Sequence, residues 1–151
     1  MTETTPSATG QLTGNVLYYN QPEPLNPTTH KGMGVKRIDG PFSFAAKHNL
    51  VPLTVSEFQL AVLNGPIIFV GEEKTPLQVM GLNHDENIFV LPTGVFDAGV
   101  YVPAYVRRYP FVFANDSQAG QSILCVDRSA AFFAESNPEL PFFDEKGEPT
   151  E

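Results

Sequence analysis

The sequence predicts an α+β domain built mainly on an antiparallel β-sheet, with about five or six strands and two or three short helices. From position 41 to 110 the prolines recur every 7 to 16 residues, which limits the length of each element. Most apolar residues between them occur in short runs bounded by Gly, Pro and polar turns, a pattern typical of strands and hairpins. With 42% hydrophobic residues, a chain of 151 residues can bury the core of one domain. No apolar run approaches the roughly 18 residues of a membrane-spanning helix, so we expect no transmembrane segment.

Composition divides the chain into three parts. Residues 1–34 form a polar lead-in, rich in Thr, Ser, Gly and Pro, which we expect to be largely flexible except for a possible edge strand at 16–19. Residues 35–134 form the body, and residues 135–151 form an acidic tail that carries a charge of −5 out of the total of −8. Because the body is nearly neutral and has no basic face, we expect no nucleic-acid partner.

The first predicted helix spans 55–64. Thr54 and Glu57 have the spacing of a capping box, and the Gly-Pro pair at 65–66 supplies a stop. Its predicted buried face consists of the residues at i, i+3 and i+4, which are Phe58, Ala61 and Val62.

A strand and a hairpin are predicted after this helix. The apolar run at 66–70 lies between glycines and predicts a buried strand. Residues 77–82 and 87–91 predict a hairpin around the polar connection at 83–86.

The last third of the body contains more short elements. Residues 103–109 predict one helical turn, because Pro suits a first helical position and Pro110 ends the segment. The runs 111–114 and 122–127 predict a second hairpin around 115–120, and 130–135 predicts a short helix.

The triplet His84-Asp85-Glu86 invites a metal or acid–base hypothesis. Adjacent residues of a turn point in different directions, so such a site needs His30, His48 or another carboxylate to converge on it. The simpler interpretation is a solvated turn, and we expect no metal site and no cofactor.

Cys125 is the single cysteine, so an intrachain disulfide is excluded. It lies in an apolar run, which favours a small buried hydrophobic residue over a nucleophile. The glycines at 32 and 34 lack the rest of a dinucleotide-binding motif, and no P-loop is present.

The most distinctive string is Tyr-Val-Pro-Ala-Tyr-Val-Arg-Arg-Tyr-Pro-Phe at 101–111. Its two guanidinium groups among three phenol rings could bind a carboxylate or phosphate, or stack on a sugar or aromatic ligand. The structural alternative is that one arginine pairs with Asp97 or Asp127 while the tyrosine rings cover the core. The predicted ligand- or partner-binding residues are Tyr101, Tyr105, Arg107, Arg108 and Tyr109.

This string resembles the SapC family of bacterial proteins, which is named for a surface-layer-associated protein. The resemblance covers roughly residues 40–150, and the 101–111 block is its most specific part. The other matching blocks, in chain order, are 44–46, 51–53, 57–58, 65–69, 81–83, 86–90, 124–127, 142–144 and 147–150.

The resemblance implies a link to bacterial surface layers and supplies no catalytic residues to transfer. Family members continue into further helical sequence beyond this point, which implies that the chain lacks the C-terminal part and that its acidic tail belongs to a truncated domain. The first residues lack a signal-peptide pattern, which favours the cytoplasm, and only the resemblance points to the cell surface.

We therefore expect a noncatalytic SapC-like binding or assembly module rather than an enzyme. Its partner is an unknown protein, small molecule or glycan, and self-association is a further option. The alternative is an enzyme or accessory subunit whose site is assembled from His84, Asp85, Glu86, Arg107 and Arg108.

Overall fold

The computed structural model describes residues 16–116 and 121–150, which form nine short strands in three antiparallel sheets of three strands each. The elements in chain order are β1 Pro22–Pro24, β2 Gly34–Val35, β3 Leu50–Pro52, α1 Phe58–Ala61, β4 Ile67–Val70, β5 Thr75–Val79, α2 Ala104–Arg107, β6 Phe111–Asp116, β7 Gln121–Asp127, β8 Phe133–Ala134 and β9 Leu140–Pro141, with 3-10 turns at Ser43–Ala45 and Val55–Glu57. A mainly antiparallel fold with few helices is thus confirmed. The strands are shorter and more numerous than predicted, because frequent prolines and turns divide them among three sheets.

The longest strands, β6 and β7, form the predicted second hairpin. Their register runs from Phe111 opposite Val126 to Asp116 opposite Gln121, and the tip at 117–120 lies outside the described residues. β1 pairs with the other side of β7. The predicted strand at 16–19 is wrong, because these residues form a turn that places Tyr18 and Tyr19 in the core.

A second sheet has the order β3-β5-β4. Two predictions for this part of the chain are wrong. The strand at 66–70 was expected to be buried, yet β4 lies at the sheet edge and its apolar side chains are largely exposed. The hairpin between 77–82 and 87–91 is absent from the described structure, because β5 already pairs with β3 on one side and with β4 on the other. The actual hairpin turns at 71–74, where Gly71 has a φ of 71°.

The predicted helix at 55–64 is a 3-10 turn followed by the single-turn α1. Of its predicted buried face, Ala61 is buried, Phe58 is half-buried and Val62 is exposed. The buried side-chain amide of Gln78 on β5 donates a hydrogen bond to the Ala61 carbonyl at 2.9 Å. The backbone of α1 is thus bonded directly to a side chain of the sheet.

In the third sheet, β2 lies between β8 and β9. The short helix predicted at 130–135 is wrong, because Phe133 and Ala134 pair with β2 from about 100 residues away in sequence. β2 fits between its neighbours because Gly34 has no side chain, and a Cβ there would overlap the Leu140 carbonyl oxygen.

The core contains Cys125, which is fully buried as predicted, and burial raises the pKa of its thiol. The residues of the buried apolar cluster are Tyr18, Tyr19, Ala45, Val51, Met80, Val106, Val112 and Cys125. Within the described residues, no helix combines the length and apolar character needed to cross a membrane.

Candidate functional site

The carboxylate of Glu57 holds the start of α2 in place. Its Oε1 accepts hydrogen bonds from the Ala104 backbone N–H at 2.7 Å and from the Tyr101 hydroxyl at 2.9 Å. Its Oε2 accepts hydrogen bonds from the backbone N–H of Thr54 at 2.7 Å and from the Thr54 hydroxyl at 2.8 Å. Glu57 is therefore both the predicted capping-box residue and the contact that joins two distant segments.

These donors keep Glu57 ionised. Burial alone would raise the pKa of its carboxyl, but the hydrogen bonds from Ala104, Thr54 and Tyr101 outweigh that effect, and the pKa lies below its ordinary value. A carboxylate whose lone pairs are already used in this way has a positioning role.

Arg107 folds back onto its own segment. Its Nε donates to the Val102 carbonyl at 3.0 Å and its Nη2 donates to the Tyr101 hydroxyl at 3.2 Å. The guanidinium carbon also lies 5.7 Å from the centre of the Tyr101 ring. The side chain is thereby oriented while remaining exposed to solvent.

Arg108 stacks on tyrosine rings. Its guanidinium carbon lies 4.0 Å from the centre of the Tyr105 ring and 5.8 Å from that of Tyr19. Burial raises the pKa of Tyr19 to about 12, while the neighbouring guanidinium opposes this shift. The two ring contacts orient the guanidinium of Arg108, whose side chain remains exposed.

The arginine–carboxylate pair of the structural alternative is not formed: within residues 16–116 and 121–150, neither arginine makes an ion pair with Asp97, Asp127 or another carboxylate. The reason is that Asp127 is fully buried and accepts hydrogen bonds from other groups. Its donors are the backbone N–H groups of Asn20, Gln21 and Ser129, the Ser129 hydroxyl and the Tyr109 hydroxyl.

Tyr109 lies on the interior side of the segment. Its ring centre is 4.2 Å from that of Phe44, and its hydroxyl lies 3.4 Å from Oδ2 of Asp127. Burial and the nearby Asp127 carboxylate raise its pKa. The structure therefore places the two arginines at the surface and leaves Tyr101 and Tyr105 half-buried beside them, with Tyr105 packed against the core. Tyr109 lies in the packing beneath them.

A small cavity of about 260 Å³ opens beside Arg108 and Tyr105. Its lining residues are Pro52, Leu53, Thr54, Glu57, Ala104, Tyr105 and Arg108. It combines apolar walls, an aromatic ring, a guanidinium group and the Glu57 carboxylate, whose oxygens already accept four hydrogen bonds. Glu57 and Leu53 were not among the predicted site residues, because only the folded contact between 52–57 and α2 brings them there.

The triplet at 84–86 is exposed, and Glu86 accepts a hydrogen bond from the neighbouring Asn83 amide at 2.6 Å. No hydrogen bond or ion pair of the described residues joins this turn to Arg107 or Arg108. In the same part of the chain, no group of three His, Cys, Asp or Glu side chains is placed to hold a metal ion.

In the comparison with known proteins, the family model of SapC matches residues 25–151. No curated protein and no solved structure matches the chain. The matched region includes His30 and β2, so it begins earlier than the roughly 40–150 recognised from sequence blocks. Since the match covers most of the sequence, the chain belongs to the SapC family.

Proposed function

We propose that this SapC-family chain is a noncatalytic binding or assembly module associated with the bacterial surface layer. Its recognition surface comprises the exposed Arg107 and Arg108, the rings of Tyr101 and Tyr105, and the adjoining cavity. The observation that carries the proposal is the stacking of Arg108 on Tyr105 at 4.0 Å, with no carboxylate of the described residues paired to it.

This arrangement is suited to an anionic group. A guanidinium that is oriented by a ring and is not neutralised by an internal acid can donate two parallel hydrogen bonds to a carboxylate or phosphate. Arg107 provides a second positive charge whose position is fixed by Val102 and Tyr101. Binding such a group therefore needs little reorganisation of either side chain.

The ligand class we favour is an acidic glycan. The Tyr105 ring and the apolar wall at 52–53 offer surfaces on which a sugar ring can pack, while the arginines meet its acid group. An extended nucleic acid is disfavoured by the net charge of −8, since it would need a basic surface.

Calorimetric titration with a galacturonic acid trimer tests the proposal, with maltotriose as the neutral sugar and glucose 6-phosphate as the phosphate-bearing one. The double variant Arg107→Ala/Arg108→Ala should lose at least about tenfold in affinity for the acidic trimer. The matched control Lys36→Ala/Arg37→Ala removes the same charge from another exposed site and should bind like the wild type.

Circular dichroism should show both double variants to be folded before their affinities are compared. Equal affinity of the two variants would contradict the proposal, as would equal binding of maltotriose and the acidic trimer. A preference for glucose 6-phosphate over the galacturonic acid trimer would mean that the surface binds an anion, but that the ligand's acid group is a phosphate and not a carboxylate.

A further inference from the structure

The region from α1 to the end of β4 has an unusual surface. Residues 58–71 contain no Asp, Glu, Lys or Arg, although the chain as a whole carries a net charge of −8. Several of its large apolar side chains are exposed, including Leu63 at 77% and Phe69 at 58%. The exposed apolar residues of this surface and its flank are Val55, Leu60, Val62, Leu63, Ile68, Phe69 and Val70.

β4 also has a free backbone edge. The Val79 N–H donates to the Pro66 carbonyl at 3.0 Å, so Pro66 and Val79 form a hydrogen-bonded pair. In an antiparallel ladder every second residue forms such a pair, so the backbone groups of Ile68 and Val70 also bond to β5. The N–H and C=O groups of Ile67 and Phe69 consequently face away from the sheet. Within the described residues, no loop or cap hydrogen bond uses these groups.

Edge strands of soluble proteins are usually protected by a charged side chain, a proline within the strand or a bulge. β4 has none of these between Ile67 and Val70. An open edge with apolar side chains on both faces is completed by another extended strand, which supplies both hydrogen bonds and apolar contacts.

We propose that the edge of β4 pairs with the same strand of a second copy of this chain, giving a two-fold dimer with a continuous six-stranded sheet. The outward groups fix the register: Ile67 lies opposite Phe69 of the second copy, and Ile68 lies on the two-fold axis. The N–H and C=O of Ile67 then bond to the C=O and N–H of Phe69 in the second copy, and the same two bonds recur across the axis, as a two-fold interface requires.

Charge favours a second copy as the occupant. In this register the acidic turn at 72–73 meets the uncharged segment at 63–64 of the second copy, so no like charges are placed opposite each other. The acidic tail, which carries −5, lies outside the pairing segment. Two copies of an acidic chain can therefore approach through this neutral surface with little repulsion.

Sedimentation velocity over a concentration series tests the dimer, which should form from the 16.5 kDa chain as concentration rises. Phe69→Lys places a charge in the pairing edge and should weaken dimerisation by at least about tenfold. Leu82→Lys introduces the same charge at a side chain that is 94% exposed outside this surface and should dimerise like the wild type.

Phe69→Pro is a second variant for the same dimerisation experiment and should also weaken the dimer. It removes an N–H that faces the second copy and leaves the hydrogen bonds between β4 and β5 in place. A wild-type chain that stays monomeric at every concentration overturns the proposal. Equal dimerisation of Phe69→Lys and the wild type also overturns it. The Arg107→Ala/Arg108→Ala variant should still dimerise, so failure of the glycan proposal is distinguishable from failure of this one.

Discussion

The Glu57 carboxylate accepts a hydrogen bond from the Ala104 backbone N–H at 2.7 Å, across 47 positions of the chain. This contact joins the capping turn before α1 to the first turn of α2. The same oxygen accepts the Tyr101 hydroxyl, so one buried carboxylate sets the position of the segment that carries both arginines. The geometry of the proposed recognition surface therefore depends on a residue that does not need to touch the ligand.

Replacing Glu57 by Gln should lower the free energy of unfolding by about 1–3 kcal/mol, because a neutral amide cannot accept all the hydrogen bonds that the carboxylate accepts. Urea unfolding followed by circular dichroism measures this loss. Glu73→Gln, in the exposed turn at 71–74, is the matched control and should change stability little. A similar stability for both variants would show that the Glu57 contacts contribute nothing.

Asp127→Asn should be more destabilising, by about 2 kcal/mol or more, because an amide N–H₂ group would face donors in a fully buried site. The segment at 20–21 and Ser129 would lose their shared acceptor. Asp97→Asn removes the same charge from an exposed position and serves as the control in the same unfolding experiment. Equal unfolding midpoints for the two variants would contradict the assigned role.

Stability should fall on acidification. Burial alone would raise the pKa values of Glu57 and Asp127, but their hydrogen bonds lower both below the ordinary 4.5 and 3.8. Their stabilisation is thus complete above those ordinary values and is lost as the pH falls through the lower folded-state values. Burial lowers the pKa of His48 below 6.5, so protonation of His48 opposes folding in the same direction.

Urea midpoints from about pH 7 to about pH 3 should therefore decrease steadily, and the acid slope of Asp127→Asn should be shallower than that of the wild type. A midpoint that is independent of pH in this range would contradict the assignment of ionised Glu57 and Asp127 as stabilising groups.

Gly34→Ala should lower the free energy of unfolding by about 3 kcal/mol, because the added methyl group would overlap the Leu140 carbonyl within the β8-β2-β9 sheet. Gly32→Ala provides the comparison, since open space surrounds that position and only its φ of 75° opposes a side chain. We expect about 1 kcal/mol there. Thermal unfolding that ranks Gly32→Ala as the more damaging variant would contradict the close packing at Gly34.

Local signals were sufficient for some elements. The β6–β7 hairpin follows from two apolar runs around a polar turn, and α2 follows from the prolines at 103 and 110 that bound it. The burial of Cys125 follows from its apolar neighbours. In each case the residues that determine the structure lie close together in sequence, at most across the 17 residues from 111 to 127, a range over which sequence patterns are informative.

Long-range pairing explains what the sequence did not reveal. β5 bonds to β3 and β4 at once, which removes it from the expected hairpin with 87–91. The Asp127 hydrogen-bond cluster draws donors from about 107 positions away, so no local pattern indicates it. For the candidate site, the Tyr/Arg string was visible in sequence, whereas the contribution of Glu57 to its cavity required the fold.

The most direct measurement is a two-dimensional NMR titration of the labelled chain with the galacturonic acid trimer, observing arginine Nε–H and tyrosine ring signals. We predict saturable shifts at Arg107, Arg108 and Tyr105, with the signals of Arg37 unchanged. Absence of shifts at the two arginines would contradict the proposed recognition surface. Shifts confined to two other cavities of the described residues, both lined by Val35, Phe111 and Leu140, would contradict it as well.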